Sequence, residues 1–484
     1  MLRDLDRLGT HAFDVLVVGG GVCGLIIACD AADRGLSVAL IERRDFGSGT
    51  SFNHLRTIHG GLRYLQSLDV GRARESIRER RTLARIAPDA VQPLAFVLPL
   101  GRSVTRGKLA VRAGFLVDRV LARDRNEGLP SSHQLLAGRV IGRTEALERY
   151  PELGRVDLSG AAIWHDYVTT DADRLTLAWA IAAAARGAVL ANYVEASALS
   201  AEGQRIIGVE AIDRLGQRPL SIRARLTVNA TGGGIDRLLG PLGAATGAPT
   251  LQALNLVTRR TASDVAFGAR GPTGRNFFMV PWRGRALLGT WETLGAREAD
   301  DLAVRDADLA AFIAELNQAF PSLALSRRDI ALVHRGIVPA IRRSDGTLAA
   351  RGDDLVWDHS TGGRPYDGLV SVALAKYTTA RAVAERVTTL LLSKLGHPMV
   401  PCRTAEAVLP LSAGVCDSDL RRAVQEEMAV TLEDAVVRRT SLGAVGYPGD
   451  ESARRAAAVV GSELGWDADR QRQEIDALRQ FYAF

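Results

Sequence analysis

The chain has 484 residues, enough for two or three domains sharing a large core. With 47% hydrophobic and 24% charged residues it has the composition of an ordinary soluble globular protein, and a net charge of +6 is too small for this length to suggest nucleic-acid binding. Cys23, Cys29, Cys402 and Cys416 lack the short paired spacing of a zinc site, so no metal is expected and the thiols read as free in a reducing, cytoplasmic compartment.

The N-terminal residues are charged and run into a strand-like segment without the apolar core of a signal peptide. Phe13 to Arg43 then has the order strand, glycine loop, helix, strand. Val15 to Val18 is an apolar run suited to a strand buried on both faces. Gly19, Gly21 and Gly24 fit G-x-G-x-x-G: the first for a tight turn, the second for backbone approach to a pyrophosphate, the third for packing helix on sheet. A helix from about Cys23 to Arg34 would point its N-terminal N–H groups at that pyrophosphate. The second strand, Ser37 to Ile41, ends in Glu42, whose carboxylate suits the two hydroxyls of an adenosine ribose; Arg43 beside it is counted with the same site. The unit predicts dinucleotide binding, and its place at the start of the chain favours FAD over NAD.

Thr57 to Gln66, TIHGGLRYLQ, sets a histidine, two glycines, an arginine and a tyrosine in ten residues, a composition suited to backbone lying close to something flat. Between Gly101 and Gly128, the apolar residues Leu109, Phe115, Leu116, Val120 and Leu121 form an approximate helical stripe among Arg102, Arg106, Lys108, Arg112, Arg119 and Arg123. The pattern fits an interfacial helix on anionic lipid, and equally a helix packed on the protein with a solvated face. Leu175 to Ala185 is apolar but too short to span a bilayer. Leu190 to Leu199 reads as a strand, with the Val194 backbone a candidate contact for adenine. Asp213 to Pro219 reads as a hairpin turn. Ala224 to Leu239 reads as a strand running into a second glycine turn at Ala230 and Gly232, suited to an extended cofactor such as FAD. From Cys402 onward the composition predicts separate amphipathic helices, among them Thr431 to Thr440 and Arg470 to Phe484, for packing and dimer contact.

With these segments in hand the chain resembles the FAD-dependent glycerol-3-phosphate dehydrogenases, within the DAO-type flavoprotein superfamily. The likeness rests above all on Ile58 to Leu65, IHGGLRYL, and extends to Phe277 to Thr293, to Lys376 with Thr378, Thr379 and Arg381, and to Thr431 to Gly443. The resemblance implies an α/β fold: a Rossmann-type FAD-binding domain (1–100, 140–250 and 350–400), a basic helical insertion (101–139), a mixed-sheet substrate domain (251–349) and a C-terminal helical domain (401–484). It implies hydride transfer from a secondary alcohol to flavin N5, with electrons passing to a quinone at the inner face of the membrane or to oxygen. Gly60, Gly61 and Leu62 would pass over the isoalloxazine ring, and Thr50 and Ser51 would donate to the pyrophosphate or ribityl chain. His59 is either a polar neighbour of the flavin, with a chemical role, or structural; Arg63 and Tyr64 read as struts. Lys376, with Thr379, is placed at the catalytic centre: as a cation near flavin N1, as a holder of the substrate oxygen, or as a base. His334 and His359 are weaker candidates for the base.

The sequence departs from the family in three turns. Its G-x-R-P turn, whose arginine grips the substrate phosphate, is Gly336-Ile337-Val338-Pro339 here, and valine cannot supply charged bidentate hydrogen bonds. Its G-G-K-x-T-T turn is Leu374 to Thr379, both glycines gone, and its proline–tryptophan is Gly233-Gly234. Arg335, Arg342 and Tyr377 are the expected substrate-binding residues, with Arg343, Arg275 and Arg283 as further sources of charge. The expected substrate is a polyol phosphate or related alcohol with a changed or missing phosphate. A flavin oxidase of another hydroxy acid, amine or tailored metabolite, and a non-catalytic flavin-binding homologue, are the alternatives.

Overall fold

A computed structural model describes the chain except for residues 63, 65–68, 103–106, 156, 362–365 and 412–413. The expectations for Arg63 and Arg106 lie outside the described residues. Two sheets organise the rest. The first runs Leu355–Asp358, Leu369–Ala373, Arg218–Asn229, Ala12–Val18, Val38–Ile41 and Val189–Ala191, with Arg205–Asp213 and Val194–Glu202 continuing from Arg218–Asn229. Its central strands are parallel. All-apolar strands such as Val38–Ile41, buried at every position, need helices on both sides. Helices Val22–Asp33, Ala172–Ala185 and Ala380–Leu395 supply one such layer, and their shared core includes Ile27, Trp179 and Val387. The strands Arg205–Asp213 and Arg218–Asn229 pair antiparallel around the expected hairpin turn.

The second sheet runs Leu348–Ala350, Ile330–Arg342, Thr250–Thr258, Arg285–Glu292, Asn276–Trp282, Ala266–Arg270, Val91–Leu100, Gly160–Thr169 and Thr57–Ile58, with Arg139–Gly142 on Gly160–Thr169. The strands at 91–100 and 160–169, expected with the first sheet, are instead hydrogen-bonded into the second, beside the strands of 251–349. Their hydrogen bonds to each other and to Ala266–Arg270 decide this.

The helix Lys108–Leu121 splits the expected stripe. Phe115 turns inward onto Leu100 and Ala162, while Leu109, Leu116 and Val120 are 79%, 63% and 67% exposed. Residues 109, 116 and 120 share one face at helical spacing, and 115 lies on the other. In the C-terminal region the 431–440 segment is no amphipathic helix. It forms a wide π-type turn, Asp434–Arg439, with all six residues buried. The final helix, Ala468–Tyr482, does carry one buried face, through Ile475, Leu478 and Tyr482.

Helices Val70–Ile86 and Ala380–Leu395 are joined by a buried pair: Arg381 Nε and Nη2 donate to Glu79 at 2.7 and 2.6 Å, with Glu79 fully buried. Removing one partner strands the other charge in the core. Arg381→Ala is expected to cost about 3–5 kcal/mol, read as a lower midpoint in urea unfolding; a loss below about 1 kcal/mol would mean that water reaches Glu79.

Candidate active site

The glycine turn forms as its spacing predicts. Gly19 has φ +114° and its N–H donates to the Ile41 carbonyl at 2.9 Å. A Cβ there would lie 2.6 Å from the Ala230 carbonyl oxygen, and one on Gly24 would overlap the Gly19 carbonyl oxygen. The turn thus locks the first strand, the first helix and the second glycine turn together. Helix Val22–Asp33 opens at Gly21 with no side-chain cap from that residue, which leaves its positive end facing the turn. Ser51 sits at that end: its Oγ accepts from Val22 N at 2.9 Å and keeps its own proton to donate. Glu42 accepts from the N–H groups of Gly20 (2.7 Å) and Arg44 (2.8 Å). Burial pushes its carboxyl up, against those two hydrogen bonds. A carboxylate has about four acceptor positions, so room remains for ribose hydroxyls. The helix end with the Ser51 hydroxyl beside it, the two tight glycines and the acid at the strand end fit the pyrophosphate and ribose of FAD.

Several expected neighbours spend their groups on protein. Thr50 Oγ1 donates to the Ile337 carbonyl at 2.6 Å, and Val194 N–H to the Glu42 carbonyl at 2.8 Å. Arg43 pairs with Asp300 at 2.5 Å, so its charge is directed to another loop. Gly60 and Gly61 owe their missing side chains to protein: a Cβ on Gly60 would overlap the Arg80 guanidinium, and one on Gly61, at φ +79°, would lie 2.9 Å from Ser76 Cβ. Leu62 packs with Leu100, Phe115 and Ala162.

His59 has a partner that sequence reasoning missed. Its Nδ1 lies 3.4 Å from Asp166 Oδ2 and its Nε2 2.8 Å from Thr57 Oγ1, with 37% of the side chain exposed. Asp166 also accepts from Gly60 N–H (2.8 Å), from Trp164 Nε1 (3.1 Å) and from Arg80. Burial would raise the Asp166 carboxyl; Arg80, then the hydrogen bond from His59, more than offset it and hold it at about 2. Phe96 and Phe278 flank the imidazole at 5.8 and 6.2 Å. A lone acid inside the apolar run GAAIWHDYVT was the available signal.

Lys376 Nζ stands 3.8 Å over the Tyr64 ring, which ties the 374–379 turn to the His59 loop. The turn is organised by Asp354, also missed: its carboxylate accepts from Ala375 N–H at 2.7 Å and from Thr379 Oγ1 at 3.3 Å. Lys376, Thr379, Tyr64 and Asp354 line one cavity of about 120 Å³. Tyr377 points elsewhere, its hydroxyl 2.9 Å from Thr176 Oγ1 and its ring stacked on His54 at 4.7 Å.

The expected substrate arginines are not brought together. Arg335 donates to the Phe481 carbonyl at 3.2 Å, and Arg342 lies on an exposed hairpin, bonded to Gly346 at 3.0 Å. On a strand, residues 335 and 338 face opposite sides of the sheet. Arg275 serves Glu315 and the Glu292 carbonyl, and Arg283 pairs with Asp171. His359 bonds Ser371 in the first sheet. His334 is fully buried against Arg56, 3.5 Å away, and burial followed by that cation pushes it well below the usual histidine range. Arg56 in turn pairs with Asp173 at 3.2 Å.

Because the folded Asp166 value lies below the ordinary 3.8, its ionised form favours the fold. That contribution, about 2.5 kcal/mol, is complete above pH ~4 and drains away as pH falls toward ~2. Asp166→Asn should therefore show a stability deficit at pH 6 that shrinks in acid; a deficit constant from pH 6 to 3 in denaturant unfolding would contradict the assignment.

The family model described as FAD dependent oxidoreductase matches residues 14–381, and that described as C-terminal domain of alpha-glycerophosphate oxidase matches residues 385–471. The glycerol-3-phosphate dehydrogenase of Mycobacterium leprae is 32% identical, covering 97% of this chain and 88% of its own length. That of Synechocystis is 31% identical, covering 84% and 75%. Among solved structures, glycerol-3-phosphate dehydrogenase from Bacillus halodurans, complexed with FAD, superposes with a TM-score of 0.73 at 23% identity, covering 99% of this chain and 96% of that one. Glycine oxidase from Geobacillus kaustophilus gives 0.56 at 20% identity, covering 83% and 99%. The chain uses FAD and is an oxidoreductase, and it belongs to the FAD-dependent glycerol-3-phosphate dehydrogenase family.

Proposed function

We propose that the chain oxidises a secondary alcohol resembling glycerol 3-phosphate but altered or uncharged at its phosphate end. The observation that carries the reaction class is the match along both units, including the C-terminal domain that the glycerophosphate enzymes carry. FAD, held at the glycine turn and Glu42, supplies the hydride acceptor. His59, with Nδ1 oriented by Asp166, is the group we assign to take the hydroxyl proton at Nε2, where the substrate hydroxyl would replace that of Thr57; its partial exposure leaves it reachable. Lys376, fixed over Tyr64, provides positive charge beside the same loop, with Thr379 holding the turn. Phe96 and Phe278 give the imidazole an apolar flank.

The altered substrate end rests on Val338. Against a replacement for the missing guanidinium stand the carboxylate partners of Arg275 and Arg283 and the separate places of Arg335, on the opposite strand face to Val338, and Arg342, on an exposed hairpin. A lost charge-assisted contact costs roughly 2–4 kcal/mol of binding. In anaerobic bleaching of the bound flavin, non-phosphorylated polyols and hydroxy acids should outperform glycerol 3-phosphate, and Val338→Arg should move the preference toward the phosphate. Lys376→Ala should slow bleaching far more than it lowers FAD content. Selective, rapid bleaching of the unaltered protein by glycerol 3-phosphate would end the substrate assignment. Oxygen is a second acceptor reading, favoured by the oxidase name of the C-terminal family; hydrogen peroxide formed in air marks it.

The leading acceptor is a quinone reached at an anionic membrane surface. Support comes from the outward face of Lys108–Leu121, where exposed Leu109, Leu116 and Val120 stand beside exposed Arg112, Arg119 and Arg123. No helix among the described residues is long and apolar enough to cross a membrane. Flotation with anionic vesicles at low salt, lost in Leu116→Glu and weakened at high salt, is the expected result; equal recovery with neutral vesicles would exclude the anionic surface.

A further inference from the structure

The C-terminal unit meets the first sheet through a buried charge cluster at the adenosine end of the FAD site. Asp45 lies three residues after Glu42 and is 1% exposed. Arg439 holds both of its oxygens at 2.7 and 2.6 Å, and Arg438 Nε adds a third contact at 2.6 Å. Asn192 Nδ2 donates to the same carboxylate at 3.1 Å and to the Met428 carbonyl at 2.9 Å. The next residue, Tyr193, has φ +57°, a costly conformation for a bulky side chain, of order 1–3 kcal/mol. It is held from two sides: its N–H donates to the Arg44 carbonyl at 2.9 Å, and its hydroxyl donates to Asp434 at 2.8 Å. Tyr193 immediately precedes Val194, whose N–H closes on the Glu42 carbonyl.

The loops at 42–45 and 192–194 are thus tied to each other and, from behind, to the Asp434–Arg439 turn. That turn carries Asp434, Arg438 and Arg439 together, all buried. We propose that Arg438, Arg439 and Asp434 of the C-terminal unit are positioning residues for the adenosine of FAD, acting through Asp45 and Tyr193. The C-terminal domain then has a task in cofactor retention that its lack of catalytic groups did not suggest. This inference rests on the placement of adenosine at Glu42. Without the arginine pair, Asp45 is a buried unpaired charge that moves toward water and takes the Glu42 loop with it.

The test is FAD titration of the deflavinated full chain, with the thermal midpoint of the same apoprotein recorded beside it. Tyr193→Phe removes one hydroxyl, and Arg439→Lys keeps the charge but not the bidentate grip. Both should raise the FAD Kd, Arg439→Lys by roughly tenfold or more, as losing an outer support of a binding site does. Arg297→Lys, which disturbs the Arg297–Asp308 pair at the substrate sheet, should lower the midpoint without moving the Kd. An unchanged Kd in both variants, with Glu42→Ala weakened, overturns the proposal alone. So does an equal rise in Arg297→Lys, which would reduce the effect to general loosening. Undiminished FAD binding by Glu42→Ala overturns the adenosine placement and the proposal with it.

Discussion

The structure depends on one close approach: the Gly24 Cα against the Gly19 carbonyl, with Ala230 pressed on the other side of Gly19. Where a side chain would stand at either glycine there is backbone, and backbone cannot step aside. The helix Val22–Asp33 therefore begins directly at the strand end. Its positive pole, the carboxylate of Glu42 and the second glycine turn all reach the same small volume. That convergence suits FAD, whose pyrophosphate would take the helix end and whose ribose would take the acid.

The second sheet meets the first near this turn, and two of the three family departures face each other there. The altered G-x-R-P segment is no turn but the middle of the strand Ile330–Arg342, and its Ile337 packs onto Gly233, where the family has proline–tryptophan; a Cβ at Gly233 would stand 2.7 Å from Ile337 Cγ2. The same residue's carbonyl takes the Thr50 hydroxyl. Ile337 and Gly233 are in close contact, so a side chain at 233 would need the strand to give way. The third departure has its own compensation. Ala375, where a glycine would leave the backbone free, is fixed by Asp354 through its N–H.

What the sequence showed well was local. The glycine spacing, the acid at the second strand end, the hairpin at 213–218 and the final helix each depend on residues within one supersecondary unit. What it hid was the partner of each polar group. Asp166 is 107 positions from His59, and Arg439 is 394 from Asp45, so neither pairing leaves any periodic trace. The glycines of the IHGG string were visible, but a flat ligand and a crowding helix ask for the same missing side chain; only the position of Arg80 distinguishes them. Arg335 and Arg342 were grouped by proximity in sequence, whereas a strand sends residues 335 and 338 to opposite faces. The 431–440 segment misled for a related reason: its charged residues resemble a solvated face, yet they are buried against charges from elsewhere in the chain.

On the proposed assignment, chemistry and recognition have separate supports in this molecule, so one can change while the other stays. His59 is set by Asp166, Arg80 and Thr57, on strands 57–58 and 160–169 and the helix at 70–86. Lys376 is set by Tyr64 in the neighbouring loop. None of these contacts runs through Val338 or Ile337, which lie on the Ile330–Arg342 strand at the far end of the second sheet's hydrogen-bonded order. A substitution there repacks against Gly233 and Thr50 without displacing the imidazole or the ammonium. Binding contributions add when sites share no partners, so the phosphate grip could be lost at its own cost alone, leaving the oxidation intact.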